Sequence, residues 1–408
     1  MLKKTLYFLT TTALLSSLFS CSNISDNKPG AANVASNDKM TPQTAEKTSS
    51  QVIPKKVIPN HQADLAKMVK LTNEARFLAG MKVGEKSSLA TQEKSQVWES
   101  YAAFFNDSWD RLEKQQLAPI RKWSTQQLKP VYQTSKFIFY PFSGPDFLYC
   151  YSFFPQGNTY VLAGLEPVGY LPTLEKTSTA EIANNLQKIE QSLGAILRWS
   201  FFRTNDMKQD LSEQGVLPIL FVFLARTNNK IQNVQYIGLD KDARIQILDK
   251  DNKEKLLPGV KIEFVPSGSS EIRSLYYFSV DLSNSALKKA PEFDRFIQKF
   301  GKPISYLKAA SYLLHYEGFS NIRNLILSQS TSVLQDDSGI PVKYFSDSKW
   351  ILKFYGNYTR PIALFSNEYQ PELRNIYQSK ANVKPLYFGI GYQYRVNNSN
   401  LMLAIKKK

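Results

Sequence analysis

The stretch Phe137–Gly169, FIFYPFSGPDFLYCYSFFPQGNTYVLAGLEPVG, decides how the fold is read. Aromatic and aliphatic residues crowd it around two turn-forming groups, Ser143–Asp146 (SGPD) and Pro155–Asn158 (PQGN). Apolar runs bounded by Gly, Pro, Asn and Asp predict strands, so FIFY, FLYCYSFF and TYVLAG are read as two or three consecutive strands joined by tight connections. The runs are apolar at successive positions rather than at alternate ones, which predicts a sheet covered by helices. The expectation is an α/β or α+β fold with a mixed sheet and this segment at its centre.

Working outward from it, apolar residues at spacings of three and four predict helices over Gln62–Leu78, Ser95–Leu117 and Ser178–Arg198, with Pro119 ending the second. Met207–Gln214 reads as a short helical or turn element. Val216–Leu224 reads as a strand that forms a hairpin with Val234–Leu239 across the polar turn Thr227–Lys230. Gly259–Val265 and Leu275–Asp281 read as strands, and Ser283 or Asn284 as the cap of a helix that runs to Phe300 and stops at Gly301. Lys302–Leu327 is expected to be a long helical region divided at Gly318, its second piece capped by Ser320. Asp336–Ile340 reads as a solvated turn, KWILKFYG as a strand, and Tyr387–Arg395 with Asn400–Lys406 as a closing C-terminal hairpin. No repeat of roughly 20 to 50 residues recurs, against a solenoid or propeller. Residues 60–408 are read as a single large domain or two intimately packed lobes.

The N-terminus reads differently. Lys3 and Lys4 precede the apolar segment LYFLTTTALLSSLF, a secretory signal pattern over residues 1–20 and too short for a permanent span. Residues 21–59 are polar and almost free of aromatics, which predicts a flexible tether. Leu18, Phe19, Ser20 and Cys21 resemble the lipobox of bacterial lipoproteins. That resemblance implies that Cys21 becomes the first mature residue and carries acyl chains such as palmitate, with the membrane as partner. Ser22 after the cysteine implies the periplasmic face of the outer membrane. Several chains hold durably because each buried methylene contributes about 0.8 kcal/mol.

The chain carries 51 basic and 35 acidic residues, a formal charge of +16. Anionic envelope glycan, lipid or protein is therefore a candidate partner. The basic residues are scattered without a recognisable nucleic-acid module, so no specific nucleic acid is expected. Cys21 and Cys150 are the two cysteines; if the first is acylated, no intramolecular disulfide forms, and Cys150 between Tyr149 and Tyr151 reads as a small buried hydrophobe.

His61 and His315 are the two histidines, too few for a HExxH zinc site, a Cys/His cluster or a three-histidine centre. P-loop and dinucleotide-binding fingerprints are absent as well, and no cofactor is expected. Asp336 and Asp337 are the most visible carboxylate pair for a divalent ion, without the full calcium-loop spacing. Ser143, Asp146 and His315 are the candidates for a serine hydrolase set, although the G-x-S-x-G elbow is missing. Asp146, Glu166 and Glu317 are the candidates for acid/base work. Each also has a structural reading: Ser143 as a turn residue, and Glu166 as a strand-end residue that satisfies a helix terminus or pairs with Arg198. PFSGPDFLYCYSFFPQGNTYVLAGLEPVG, YLLHYEGF, LQDDSGIP and GIGYQYR resemble a group of uncharacterised bacterial envelope proteins, which implies a location and carries over no catalytic residue. Three functions remain: ligand or partner binding through an aromatic cleft, an envelope hydrolase of glycan, lipid or ester, and a structural assembly lipoprotein.

Overall fold

In the computed structural model the described residues are 61–175, 177–202, 215–249, 252 and 255–408. The signal segment, Cys21, the tether and the element expected at 207–214 lie outside them. Four helices open the described chain: α1 (His61–Leu78), α2 (Gln96–Leu112), α3 (Ala118–Gln127) and the single turn α4 (Lys129–Tyr132). Pro119 does not end α2, because a π turn at Glu113–Leu117 carries the helix on and the proline sits in the first turn of α3, where no amide partner is lost.

Alternation along each central strand gives the sheet two buried faces. In β1 (Phe137–Tyr140), Ile138 and Tyr140 enter one hydrophobic core while Phe137 and Phe139 enter the other. The connection to β2 (Thr159–Gly164) is a helix, α5 (Phe147–Phe153), so FLYCYSFF is not a strand. Asp146 caps α5 by accepting a hydrogen bond from the Tyr149 amide at 3.1 Å. A short helix buried on nearly every side has the same composition as a buried strand, so local sequence does not separate the two. The same ambiguity overturns the expected hairpin at Val216. After α6 (Thr179–Trp199), capped by Ser178, the run LPILFVFLAR is α7 (Leu217–Arg226), with Pro218 in its first turn.

The strands that follow are β3 (Asn229–Leu239), β4 (Ile245–Ile247), β5 (Leu257–Pro266) and β6 (Arg273–Ser279). Ser283 caps α8 (Asn284–Lys289), and Pro291 separates it from α9 (Glu292–Lys299). Lys302–Leu327 is not a long helix: it holds β7 (Ile304–Leu307), two 3-10 turns, and only then α10 (Ser320–Gln329), which Ser320 begins without capping. Ala309, Ser311 and Tyr312 all have positive φ, a backbone path that no α-helix follows. The chain closes with β8 (Ser332–Gln335), β9 (Trp350–Gly356), α11 (Pro371–Ser379), β10 (Val383–Lys384) and β11 (Asn400–Lys406). The C-terminal antiparallel pair exists, but β11 pairs with β9 and β8; Tyr387–Arg395 forms no strand.

The eleven strands of the described residues join in one mixed sheet, ordered β10-β9-β11-β8-β7-β1-β2-β6-β5-β3-β4. The five in the middle, β8-β7-β1-β2-β6, are parallel. Helices α1 to α3 and α5 to α7 cover one face, and α8 to α11 cover the other. Crossovers between parallel strands share one hand, so a chain that leaves β1 for β2 over one face must leave β7 for β8 over the opposite face. β1 and β7 are neighbours, with Ile138 beside Ile304. The winding direction therefore reverses between them.

Candidate functional site

Where winding reverses in an open parallel sheet, the loops leaving adjacent strands diverge and a crevice opens at their carboxyl ends. A cleft of about 560 Å³ lies at that place in this protein. Phe142–Gly144 and Asp146 enter it after β1, Leu165 and Glu166 after β2, Val280–Leu282 after β6, and Lys308–Ser311 after β7. Phe201, Phe365 and Tyr392 supply an aromatic side, with Tyr392 5.0 Å from Phe201 and 5.2 Å from Phe365 between ring centres.

The floor is an ion pair. Lys308 Nζ lies 2.5 Å from Asp146 Oδ2, and both side chains are almost wholly buried, at 2% and 3% exposure. The same ammonium donates to the Ser200 carbonyl and stands 3.8 Å from the centre of the Tyr149 ring. Asp146 accepts in addition from the Tyr140 hydroxyl at 3.0 Å. Burial lowers the pKa of Lys308 and raises that of Asp146, while their mutual attraction opposes both shifts. Every donor direction of the ammonium is taken, so the pair joins the ends of β1, β7 and α6 rather than presenting a reactive amine.

Backbone strain gathers at the same place. Phe142, Ser200, Ala309, Ser311 and Tyr312 all have positive φ, between 49° and 65°. Each such non-glycine residue costs roughly 1–3 kcal/mol and persists only where its surroundings hold it. Here they do: Asp336 accepts from the Ala309 amide at 3.0 Å, Ser338 from the Ala310 amide at 2.8 Å, and Tyr392 donates to the Ala309 carbonyl at 2.9 Å. The strained turn after β7 is thereby fixed as one wall of the cleft.

Ser143, Asp146 and Glu166 meet in the cleft; His315 and Glu317 do not line it. Ser143 is 5% exposed, and its hydroxyl contacts the Ala163 carbonyl at 3.1 Å, the Gly144 carbonyl at 2.9 Å and the Ala163 amide at 3.2 Å. A hydroxyl held by backbone in this way, with no histidine beside it, is a turn-forming group and not a nucleophile. Glu166 is half-buried, and the Tyr277 hydroxyl donates to its carbonyl at 2.8 Å. Gly144 and Gly164 make room for its carboxylate: a Cβ on Gly164 would stand 2.5 Å from Glu166 Oε2, and one on Gly144 3.4 Å away.

His315 is 8% exposed with Nδ1 3.3 Å from Glu368 Oε2, and Tyr316 also bonds Glu368. Burial first, against the pull of Glu368, lowers its pKa to about 4, so the ring is neutral near pH 7. Glu317 is 80% exposed and pairs with the buried Arg323 at 2.9 Å, a contact that secures the start of α10. Asp336 and Asp337 are not a solvated turn: they are buried, with Asp337 accepting from Tyr312 at 2.5 Å and from Asn400 at 2.8 Å. Desolvation and the adjacent Asp336 push Asp337 up to about 7. Among the described residues no group of three or more metal-ligating side chains comes together.

Sequence reasoning missed Lys308, Asp281 and the aromatic side. Lys308 is the first charged residue after the buried run Ile304–Leu307, and a strand reading of that run would have placed it at a carboxyl end. Tyr392, which the hairpin reading of Tyr387–Arg395 puts in a strand, lines the cleft from a loop. The fold and site thus define an open, doubly wound α/β domain with an aromatic, carboxylate-bearing cleft at its crossover. No family model, no curated protein and no solved structure matches the chain.

Proposed function

We propose that this chain is a lipid-anchored envelope protein that binds a small amphipathic ligand in the crossover cleft. The observation that carries the binding part is the cleft itself: an apolar, aromatic cavity of about 560 Å³, large enough for a small molecule, at the sheet position where open α/β folds take ligands. Its ionisable floor is sealed and its serine is held by backbone, which favours binding over the hydrolase reading. The anchoring part rests on the sequence around Cys21 and on the polar segment that follows it. Among the described residues no helix is long and apolar enough to cross a membrane.

Two measurements test the two parts. Photolabelling of the full chain in its membrane with a diazirine-bearing decanol is expected to mark the peptides containing Phe142–Glu166 or Lys308–Tyr312. Leu165→Arg and Leu364→Asp, both at exposed cleft positions, are expected to abolish that mark. Labelling that ignores both substitutions overturns the cleft reading. For the anchor, palmitate incorporation is expected to vanish in Cys21→Ser, and a label that survives overturns acylation at that cysteine.

A further inference from the structure

Lysines collect at the edge of the sheet opposite the cleft, where the parallel strands begin. The Thr331 amide donates to the Pro303 carbonyl at 2.8 Å, the Lys406 amide to the Thr331 carbonyl at 2.9 Å, and the Lys407 amide to the Lys349 carbonyl at 2.8 Å. These bonds bring Lys302 before β7, Lys349 before β9, and Lys406 and Lys407 at the end of the antiparallel β11 onto one rim. Lys136 joins them from the start of β1, where Thr134 bonds the Thr331 hydroxyl at 3.1 Å. The strands concerned are neighbours in the order β9-β11-β8-β7-β1, so the front is about 20 Å wide at about 4.8 Å per strand. We propose that this rim docks the protein on an anionic phospholipid bilayer.

Structural duties account for two of the five lysines. Lys406 donates to the Leu327 and Ser328 carbonyls in the last turn of α10, at 3.1 and 2.6 Å, and Lys407 donates to the Asp347 carbonyl at 2.6 Å. Lys136, Lys302 and Lys349 are exposed, and their ammonium groups form no hydrogen bond or ion pair with another described residue. Within the segments 134–136, 302–303, 346–349 and 405–407 these five lysines face one acid, Asp347, whereas the whole chain has 51 basic residues to 35 acidic ones. Burial first, and then the charges of Lys302 and Lys349, lower the pKa of Lys406, so like charges repel across the rim. An anionic partner relieves that crowding. The form of the rim separates a surface from a single small anion. Helices α9 and α10 bring their C-terminal ends to this edge, with open carbonyls rather than amides, so their ends offer no cradle for one phosphate. Ammonium groups on flexible stems along a broad front suit many headgroups at once. A bilayer is the occupant because an acylated Cys21 keeps one within reach: the roughly 40 residues from there to α1 span up to about 130 Å when extended, and an anionic leaflet attracts nearby lysines. That choice rests on the anchored reading and is independent of the cleft reading. Docked in this way, the protein turns its cleft away from the bilayer.

Vesicle co-sedimentation tests the proposal on the full chain carrying Cys21→Ser, so that acylation contributes nothing. Phosphatidylcholine vesicles that contain phosphatidylglycerol are expected to bind it about tenfold more tightly than vesicles of phosphatidylcholine alone. Lys302→Glu combined with Lys349→Glu is expected to remove most of that difference, and Lys302→Arg with Lys349→Arg to keep it. Lys86→Glu with Lys288→Glu, an equal change of charge at exposed positions outside the rim, is expected to leave it within about threefold of the parent, because distant charges are screened. Equal losses in the two glutamate pairs would mean attraction by net charge alone and overturn the proposal, as would binding that does not distinguish the two kinds of vesicle. Release by soluble glycerol phosphate at the concentration of the lipid would reassign the rim to a free anion and overturn docking on a surface. Palmitate incorporation at Cys21 tests the anchor separately, so the two readings fail independently.

Discussion

Asp146 and Glu166 are carboxylates from consecutive parallel connections, one after β1 and one after β2, and both border the same cleft. Asp146 is buried against an ammonium, a tyrosine hydroxyl and a helix amide. Glu166 is half-buried, with its carboxylate in a space left by two glycines. Position along a strand brings an acid to the cleft, and what surrounds it decides how deeply its charge is buried. The sharpest way to break this contrast is to remove each acid in turn. Asp146→Ala strands a buried ammonium and is expected to cost about 3–5 kcal/mol in chemical denaturation, whereas Asp146→Asn combined with Lys308→Met is expected to recover much of that loss. A cost below about 1 kcal/mol for the single change would mean that the floor is not structural.

Gly164→Ala probes the space around the other acid. Its Cβ would meet Glu166 Oε2 at 2.5 Å, Gly144 Cα at 2.9 Å and the Tyr277 hydroxyl at 3.0 Å, so overpacking is expected to cost about 1–3 kcal/mol and to displace the carboxylate. Thermal melting gives the cost, and a change in photolabelling of the Phe142–Glu166 peptide reports the displacement.

The buried groups beyond the cleft respond to pH in opposite directions. Asp337, raised to about 7, binds its proton more tightly in the folded chain than in the unfolded one, so its contribution to stability falls as pH rises from about 4 to about 7. The slope has a ceiling of about 1.4 kcal/mol per pH unit. His315, lowered to about 4, is neutral in the fold while the unfolded chain still takes up a proton, so its contribution rises between about 4 and 6.5. Measured against the parent, Asp337→Asn is therefore expected to gain relative stability as pH rises through that window, and His315→Gln to lose it. Parallel pH curves for parent and variants would refute both assignments. The smallest effect belongs to Glu166→Gln, whose stability is expected to stay within about 0.5 kcal/mol of the parent because the side chain is half-exposed and keeps its shape. A larger loss would place Glu166 with Asp146 as a structural acid.

Much of the sheet was readable residue by residue. The runs at Phe137, Thr159, Gly259, Leu275 and Trp350 are strands, and Ser283 caps a helix, because local composition and capping act over a few residues. FLYCYSFF and LPILFVFL misled because a helix buried on nearly all sides shows no polar stripe, and periodicity is the main local signal that separates it from a strand. Of the candidate site residues, Ser143, Asp146 and Glu166 came together because each follows a strand that ends on the same side of the sheet. His315 and Glu317, chosen for their residue types, sit in 3-10 turns that face Glu368 and Arg323.

The sequence by itself determined the helix-covered α/β character of residues 61–408 and the aromatic density around Phe137–Gly169, since both follow from which residues stand next to one another. Tertiary structure alone decided that β7 lies beside β1, that winding reverses between them, and that Lys308 closes onto Asp146 while Glu166 stays at the cleft. Those outcomes depend on pairings between residues far apart in the chain, and burial, which sets how far a carboxylate is removed from solvent, exists only once those pairings have formed.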